Sequence, residues 1–239
     1  MDVKNKWKVW PEAFGADLEP GFQKMKDVLD GLTVYYQNPF IYDIRNTVLE
    51  YPDSNLDVAL NKKQTACKKW LVDELYRTAG PRIKRIHVLA GWYGVLSAFL
   101  LNDPRFKIKK ITSIDRDPSC REIALSLNRT QVEKGRFQFK LADIHELDYK
   151  ARKKQKKKIP DLIVNTSCEH LHDFAGWFAT IPKGMTVALQ SNNYFEIPEH
   201  VNSVKSLRQF ENQVPVTDLL YAGQLDLEKY SRFMVIGRK

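Results

Sequence analysis

Three turns that follow consecutive predicted strands carry residues able to bind a nucleotide. The first turn reads Ala90-Gly91-Trp92-Tyr93-Gly94 and leads from an apolar strand into an apolar helix. Glycine lets a backbone approach a ligand closely, and the free N–H groups at a helix N-terminus attract anionic groups. In open α/β sheets a ligand binds outside the carboxyl ends of the strands, which is where this turn stands.

An aspartate follows each of the next two predicted strands. Asp115 ends the strand 109–115, and a carboxylate about twenty residues past a glycine turn can accept both hydroxyls of a ribose. Asp143 ends the following strand and could accept an adenine amino group, with its neighbours packed on the base. Each feature alone has a simpler explanation, since tight turns use glycine and aspartates cap helices. Asp117, directly before Pro118, suits the capping role better and leaves Asp115 for the ribose.

In this order the three signals resemble the class I S-adenosylmethionine-dependent methyltransferases over residues 83–239, including that family's closing hairpin. The resemblance implies methyl transfer with S-adenosylmethionine as cofactor. It places Gly91 and Gly94 along the methionine part, Asp115 on the ribose and Asp143 on the adenine. The residues predicted to contact the cofactor are Ala90, Gly91, Trp92, Tyr93, Gly94, Asp115, Arg116, Ala142, Asp143, Ile144 and Asn165.

The glycine loop departs from the D/E-x-G-x-G-x-G pattern of that family. Leu89 stands near the position of the acid, and Trp92 or Tyr93 replaces one glycine. The amino-acid end of the cofactor is therefore expected to be held differently, and transfer of another part, such as the aminocarboxypropyl group, stays open. NAD is the rival ligand for a ribose-binding aspartate, but its glycine fingerprint is incomplete here and the closing hairpin is foreign to its fold.

The segment 163–173, after the fourth predicted strand, carries the predicted catalytic residues Asn165, Cys168 and His172. In members of the family that methylate amines this loop reads Asp/Asn-Pro-Pro-aromatic, and Asn165 matches its first position. In members that methylate pyrimidine C5 a cysteine attacks the ring, and Cys168 matches it, at a predicted helix N-terminus that would lower its pKa. His172, four residues on, could act as its base. Alternatively, Cys168 is a small buried residue.

Polar and aromatic residues after strands four and five are predicted to contact the acceptor, namely Glu169, His170, Asn192, Asn193 and Tyr194. Amide groups and flat rings at a strand end can hold a planar or polar acceptor. The alternatives are a first-turn acid that favours the helix dipole and an Asn-rich turn with its aromatics in the core. Cys168, His172 and an acid lack a recognised ligand spacing, so the sequence predicts no metal site.

The net charge of +9 over 239 residues is concentrated in the run 150–158 and in a second basic cluster, 61–69. Clustered lysines gain affinity for polyanions by releasing counterions, which predicts a nucleic acid or nucleotide base as the acceptor. A solvated loop explains the lysine run equally well. A small-molecule acceptor is the alternative substrate. The hypothesis of a different class is a nucleic-acid-binding protein without turnover on a degenerate Rossmann-like core.

Composition predicts a cytoplasmic protein without membrane association. Cys67, Cys120 and Cys168 are widely spaced and lack CxxC pairing, which is typical of a reducing compartment. No apolar run approaches the ~20 residues of a membrane span, and the first residues lack the apolar region of a signal peptide.

Alternating strand and helix patterns from residue 83 predict an α/β fold: a doubly wound, mostly parallel seven-stranded sheet with a closing antiparallel hairpin. The hairpin is expected to place the antiparallel strand at the edge of the sheet. The turn 79–82 divides a helical N-terminal region, 1–80, predicted to cap the substrate site, from the core, 81–239. Predicted helices include 61–77 with Asn61 as N-cap, 118–131 and 168–181.

Overall fold

A computed structural model describes residues 20–80, 83–149 and 159–239, and within them a single seven-stranded sheet. The strands are β1 (Arg85–Leu89), β2 (Lys110–Asp115), β3 (Phe137–Leu141), β4 (Leu162–Asn165), β5 (Thr186–Asn192), β6 (Asp218–Asp226) and β7 (Ser231–Arg238). Their order across the sheet is β3-β2-β1-β4-β5-β7-β6. The switch in strand order lies between β1 and β4, where a crevice opens at the carboxyl ends.

The predicted fold class is confirmed, with one correction to the closing hairpin. β1 to β5 pair in parallel, and β7 runs antiparallel to both of its neighbours, β5 and β6. The antiparallel strand is therefore not at the edge, because β7 folds back against β5 and leaves β6 outside. In this register Asn192 at the end of β5 pairs with Arg232 near the start of β7.

Helices cover both faces of the sheet and build the N-terminal region. They are α1 (Pro20–Tyr36), α2 (Pro39–Glu50), α3 (Leu56–Ala59), α4 (Lys62–Thr78), α5 (Val95–Asn102), α6 (Cys120–Leu127), α7 (Arg129–Glu133), α8 (Phe174–Thr180) and α9 (Leu207–Gln213). One apolar cluster joins α4 and α5 to one face, and a second joins α8 and α9 to the other. No helix in the described part of the chain is long and apolar enough to cross a bilayer.

Two predicted helices are shorter than expected, each for a local reason. The predicted helix 118–131 is interrupted at Asn128, whose side-chain amide donates to the carbonyls of Ala124 and Gly94. The predicted helix 168–181 begins only at Phe174, because Asp173 caps it by accepting from the Gly176 N–H at 2.9 Å. The segment before it, 168–170, is a single 3-10 turn.

Three more helices, α2, α3 and α9, fall in segments for which no individual helix was predicted. α2 lies in the aromatic and turn-rich segment 38–55, with the Asn38 side chain accepting from the Phe40 N–H. α9 lies between β5 and β6. Asn61 caps α4 as predicted, accepting from the Gln64 N–H at 2.9 Å.

Helix α2 docks on α6 and α7 through buried polar contacts. Thr47 and Ser126 share a hydrogen bond of 2.9 Å, and the Ser126 hydroxyl donates to Glu50 at 2.7 Å. Asp43 accepts from both the backbone N–H and the hydroxyl of Thr130. Burial raises the pKa of the Asp43 carboxyl to about 6, although the Thr130 hydrogen bonds act against this shift. The charged form of Asp43 therefore opposes folding.

We expect Asp43→Asn to stabilise the protein at pH 8 because it removes a desolvated charge. The amide oxygen can still accept from the Thr130 N–H, and the amide nitrogen can donate to the Thr130 hydroxyl. A carboxyl pKa raised to about 6 means that the folded state holds the proton more tightly than the unfolded state. The Asp43 carboxyl therefore makes the wild-type protein less stable as the pH rises from about 4 to 6. The stability advantage of the variant shrinks as the pH is lowered through the same range. Urea unfolding at pH 8, 6 and 4 measures this, with the exposed Asp53→Asn as control. A stability advantage of Asp43→Asn that does not change with pH would contradict the raised pKa of Asp43.

Candidate active site

A cavity of about 450 Å³ lies at the carboxyl ends of β1, β2, β4 and β5 and at the start of β7. Its volume is in the range of pockets that hold small ligands. Residues predicted to bind the cofactor or the acceptor meet in its walls, namely Ala90, Gly91, Trp92, Tyr93, Asp115, Glu169, His170, Asn192 and Tyr194. The topology brings them together because they follow different strands at the same edge of the sheet.

The glycine turn is held tightly against β2. The Gly91 N–H donates to the carbonyl of Ile114 at 3.1 Å, and a Cβ at position 91 would lie 2.1 Å from the Ser113 Oγ. Ala90 and Trp92, on either side, have left-handed φ values of 48° and 46°. Such backbone angles are strained for residues other than glycine and cluster at functional sites.

Gly94 closes the turn and begins α5. It has a φ of 72°, and a Cβ there would lie 2.8 Å from the Asn128 side-chain nitrogen. Glycine is thus needed at position 91 for close approach and at position 94 for both backbone angle and space. Both needs arise from packing within the protein, so they fix the shape of the turn whether or not a ligand is bound.

Asp115 ties the turn to the end of β2. One carboxylate oxygen accepts from the Trp92 N–H at 2.8 Å, and the other accepts from the Asp117 N–H at 3.1 Å. A carboxylate has about four acceptor positions, so each oxygen retains one for a ligand hydroxyl. Asp117 in turn accepts from the Ser119 N–H in the turn before α6, but the N-cap residue of that helix is Ser119 rather than the predicted Asp117.

Trp92 and Tyr93 stack on each other with centroids 4.6 Å apart. Tyr93 is buried among apolar residues of α2, α3 and α5, while both residues also line the cavity. The sequence left open whether these rings face a ligand or pack beneath the N-terminal helices. In the structure the two rings lie between the cavity and the N-terminal helices and contact both.

A buried ion pair forms the opposite wall. Glu169 is 3% exposed, and one of its carboxylate oxygens accepts from Arg232 at 3.0 Å and from the Asn192 amide at 2.7 Å. Arg232 also donates to the carbonyl of Thr166. Among the described residues, the second Glu169 oxygen and the Arg232 Nε have no hydrogen-bond partner. Leaving a buried polar atom without a hydrogen bond lowers the stability of the protein. These two atoms are therefore available for a further polar contact.

Helix α4 brings Lys68 and Gln64 to the same cavity. The Lys68 ammonium donates to the Gln64 side-chain oxygen at 2.7 Å. Burial, and then the nearby Arg232 guanidinium, lower the pKa of Lys68 to about 8. An anion bound near Lys68 would stabilise the charged form of its side chain.

Two histidines stand at the outer end of the cavity. The Nδ1 of His170 lies 3.1 Å from the carbonyl of Glu199, and the Nδ1 of His200 lies 2.6 Å from the carbonyl of Tyr194. Their rings meet edge to face, 4.7 Å apart. His200, Lys68 and Arg232 were not identified as site residues from the sequence. For Arg232 the available signal was an arginine directly before the apolar run that begins at Phe233 in β7.

Comparison with protein-family models and with curated proteins finds no match for this chain. Solved structures do match it. The N-methyltransferase NodS from Bradyrhizobium japonicum WM9, in complex with S-adenosylhomocysteine, has 13% sequence identity and a TM-score of 0.56, covering 81% of this chain and 98% of NodS. Geranyl diphosphate methyltransferase, in complex with GPP and sinefungin, has 12% identity and a TM-score of 0.52, covering 73% and 78%.

The fold is that of the class I S-adenosylmethionine-dependent methyltransferases. The same methyltransferase fold occurs in SpnF, whose structure is described as a [4+2]-cyclase, with 11% identity and a TM-score of 0.55, covering 74% of this chain and 82% of SpnF. At such identities the likeness concerns the fold, and the reaction must be argued from the site itself.

The expectation that Cys168 lies at a helix N-terminus with a lowered thiol pKa is wrong. Cys168 is completely buried in the apolar core, and its thiol donates to the carbonyl of Asn165 at 3.6 Å. Burial raises the pKa of this thiol well above its ordinary value, so it stays protonated, against the expectation of a lowered pKa. The predicted base His172 is exposed and follows the 3-10 turn, so it does not share a helical face with Cys168.

Asn165 and Asn193 both make hydrogen bonds within the protein, and their predicted catalytic and acceptor contacts stay predictions. Asn165 is completely buried, and its side-chain oxygen accepts from the Ser167 N–H at 2.8 Å. Asn193 accepts from the Ser231 N–H at 2.7 Å and so joins the ends of β5 and β7. Neither side chain lines the cavity formed by the described residues.

The turn after β3 lies beside the cavity rather than in its wall. Asp143 caps a 3-10 turn by accepting from the His145 N–H at 2.9 Å, and Ile144 is buried in the core. Ala142 packs against the same core, and Arg116 is exposed. The contacts of these residues with an adenine stay a prediction.

Of the two predicted basic clusters, 150–158 and 61–69, only the second lies in the described part of the chain. The run 150–158 and the turn residues 81 and 82 lie outside the described residues, as does 1–19 of the N-terminal region. The cluster 61–69 is not a continuous basic surface, because Lys63 pairs with Glu228 at 3.5 Å and Lys69 with Asp73 at 2.5 Å. Lys68 of this cluster faces the cavity.

We expect Gly91→Ala to lower the free energy of unfolding by about 1–3 kcal/mol, because the added methyl group overlaps the Ser113 hydroxyl. Ser113→Ala removes that buried hydroxyl, which has no hydrogen-bond partner among the described residues, and is expected to change stability little by itself. In the Ser113→Ala background most of the cost of Gly91→Ala should disappear, since the nearest remaining atom would be the Ser113 Cβ at 3.4 Å. Urea unfolding of the four proteins measures this coupling.

Gly31→Ala is the control, because no heavy atom lies within 4 Å of a Cβ at that helical position. It should be neutral or stabilising. Equal costs of Gly91→Ala in both backgrounds would show that close approach to β2 does not explain the glycine.

Proposed function

We propose that this chain is an S-adenosylmethionine-dependent methyltransferase whose acceptor is a small molecule. The observation that carries the proposal is Asp115. Its carboxylate is fixed by two backbone N–H groups at the wall of the cavity, next to the glycine turn, and keeps an acceptor position on each oxygen. A carboxylate so placed at the end of the second strand suits the two hydroxyls of a ribose.

Lys68 and Gln64 are proposed to bind the carboxylate of the cofactor's methionine part. Leu89 stands where the resembling family has an acid, so the glycine turn offers no charged group to this end of the cofactor. Lys68 supplies a partly buried ammonium at the cavity, beside the Gln64 amide. An anion bound there would offset the desolvation that lowers the pKa of Lys68.

When bound, the cofactor supplies an electrophilic methyl group on a sulfonium. The residues of this chain bind and orient the reactants around it. Trp92 offers an aromatic ring to the positively charged sulfur, and Asp115 fixes the ribose. The helix α4 covers one side of the cavity and excludes water, so that methyl transfer is promoted mainly by position. Asp143, with Ala142 and Ile144 beside it, is proposed to approach the adenine.

A small acceptor is favoured by the shape of the site. The cavity of about 450 Å³, whose lining includes Tyr194, His200 and Tyr230, has the size of a small-molecule site. NodS is described as an N-methyltransferase, and geranyl diphosphate methyltransferase was solved in complex with GPP. A nucleic-acid acceptor gains no support from the described basic residues, of which Lys63 and Lys69 are paired with acids.

Calorimetric titration with S-adenosylhomocysteine, beside NAD, tests the cofactor. We expect micromolar binding of S-adenosylhomocysteine and none of NAD. Asp115→Ala should weaken binding at least tenfold, because two hydrogen bonds to a charged group are lost. Asp218→Ala, at the exposed edge of the sheet, is the control. Binding that is equal in both variants, with native circular dichroism, would overturn the ribose assignment. Formation of S-adenosylhomocysteine rather than methylthioadenosine in an acceptor screen would distinguish methyl from aminocarboxypropyl transfer.

Lys68→Gln tests the methionine end separately. We expect it to weaken S-adenosylhomocysteine at least tenfold and to leave 5′-methylthioadenosine, which lacks the amino-acid group, unchanged. Lys63→Gln, one turn away and paired with Glu228, should change neither affinity. In the wild-type protein the affinity for S-adenosylhomocysteine should fall as the pH rises above about 8, because free Lys68 then loses its charge. An equal loss for both ligands would contradict a contact to the carboxylate.

A further inference from the structure

Three side chains at the outer end of the cavity can share one metal ion. One carboxylate oxygen of Glu169 and one ring nitrogen each of His170 and His200 lie within 4.8 Å of one another. Glu169 and His170 belong to the 3-10 turn after β4, and His200 to the segment that follows β5. All three line the cavity.

Both histidines are held in the orientation that metal ligands adopt. A backbone carbonyl only accepts hydrogen bonds, so the Nδ1 atoms that face Glu199 and Tyr194 carry the protons. In the neutral imidazole the Nε2 then keeps its lone pair. Histidine ligands of metals commonly donate their other ring N–H to a carbonyl or carboxylate, which fixes the tautomer and orients the ring.

Glu169 is prepared in a comparable way. Its first oxygen accepts from both Arg232 and Asn192, which fixes the carboxylate. Its second oxygen is buried and has no partner in the described part of the chain. Ligating carboxylates are usually hydrogen-bonded through the oxygen that does not bind the metal. The unpartnered oxygen therefore needs a positive or donor group that the described residues do not supply.

We propose that Glu169, His170 and His200 bind one divalent first-row transition-metal ion, with zinc as the best match. Two imidazoles and one carboxylate are a common ligand set for zinc with an open position, whereas magnesium prefers oxygen ligands alone. Ligand atoms around zinc lie ~3.4 Å apart for tetrahedral bonds of ~2.1 Å. Because the three atoms lie within 4.8 Å of one another, binding must draw them together by up to ~1.4 Å. The Arg232 charge works against the metal and limits its affinity.

An ion bound by these three residues would lie at the cavity, whose lining also includes Tyr194 and Tyr230. A hydroxyl or amine of the acceptor bound there would be oriented by the metal and would have a lowered pKa. This role toward the acceptor rests on the proposed methyltransferase function. The binding of the metal itself does not. This site could not be predicted from the sequence, because the adjacent Glu169-His170 pair and His200 do not form a recognised ligand spacing.

Metal binding to the full chain tests the proposal directly. Zinc is added to the chelator-treated protein, and its binding is measured by competition with a chromophoric chelator. We expect one equivalent, little competition from magnesium, and at least a tenfold loss of affinity in His170→Gln and in His200→Gln. His172→Gln, exposed two residues further on, is the matched control and should bind like the wild type. Cobalt in the wild type should give visible bands of nitrogen and oxygen ligands without a thiolate charge-transfer band.

The outcomes distinguish a failure of the proposed metal site from a failure of the proposed methyltransferase function. Less than one tenth of an equivalent of zinc together with no cobalt bands overturns the metal site, as does equal loss of affinity in His172→Gln. S-adenosylhomocysteine should bind to His200→Gln as to the wild type, since the cofactor contacts lie elsewhere. Intact metal binding without S-adenosylhomocysteine binding would overturn the proposed function alone. Should a variant fail to fold, as judged by circular dichroism, the cobalt spectrum of the wild type still decides.

Discussion

The reversed direction of β7 is the constraint on which the candidate site depends. In the parallel part of the sheet only residues after the strands reach the carboxyl edge. A strand that runs the other way presents its first residues at that edge, and Arg232 is the second residue of β7. It therefore lies beside Asn192 and reaches Glu169 in the turn after β4. A buried ion pair of this kind contributes little net stability, but breaking it leaves an uncompensated charge, so it fixes the relative position of three strand ends.

The N-terminal helices contribute to the same site because α4 crosses the closing strands. The Gln190 amide on β5 donates to the carbonyl of Cys67, and the Trp70 indole donates to the Tyr221 hydroxyl on β6. These contacts set the rotation of α4 about its axis and turn Lys68 toward Arg232. The cavity is thus formed by residues from both sides of the turn at 79–82, and the two regions divided by the sequence reasoning act together there.

The sequence was sufficient for features that depend on local chemistry. The β-branched runs predicted the strands, the helix Val95–Asn102 lies where its apolar run begins and ends, and Asn61 caps α4 as its side chain allows. It failed where tertiary contacts decide. Nothing in the spacing separates Lys68 from Lys69, and only the docking of α4 turns one inward and pairs the other with Asp73.

The errors around Cys168 and the hairpin have related causes. A small residue between an apolar strand and a helical pattern is compatible with both a reactive turn and a core position. Because Asp173 caps the helix, the helix begins after Cys168, and Cys168 takes the core position. Likewise, alternation in the last two strands predicts a hairpin but not which of its strands pairs with β5. Pairing order is a property of the whole sheet, and a local pattern carries no information about it.

The position of β7 inside the sheet also bears on how the chain reaches its native state. β7 is the last strand in chain order, yet it lies between β5 and β6, so the pairing Thr186↔Arg238 joins distant segments. Such non-local pairing slows folding, because loop-closure entropy is lost before the new contacts form. Until β7 inserts, the edge of β5 presents free backbone groups and an apolar face. A newly made chain would then be most exposed to strand-to-strand aggregation just before the site itself is completed.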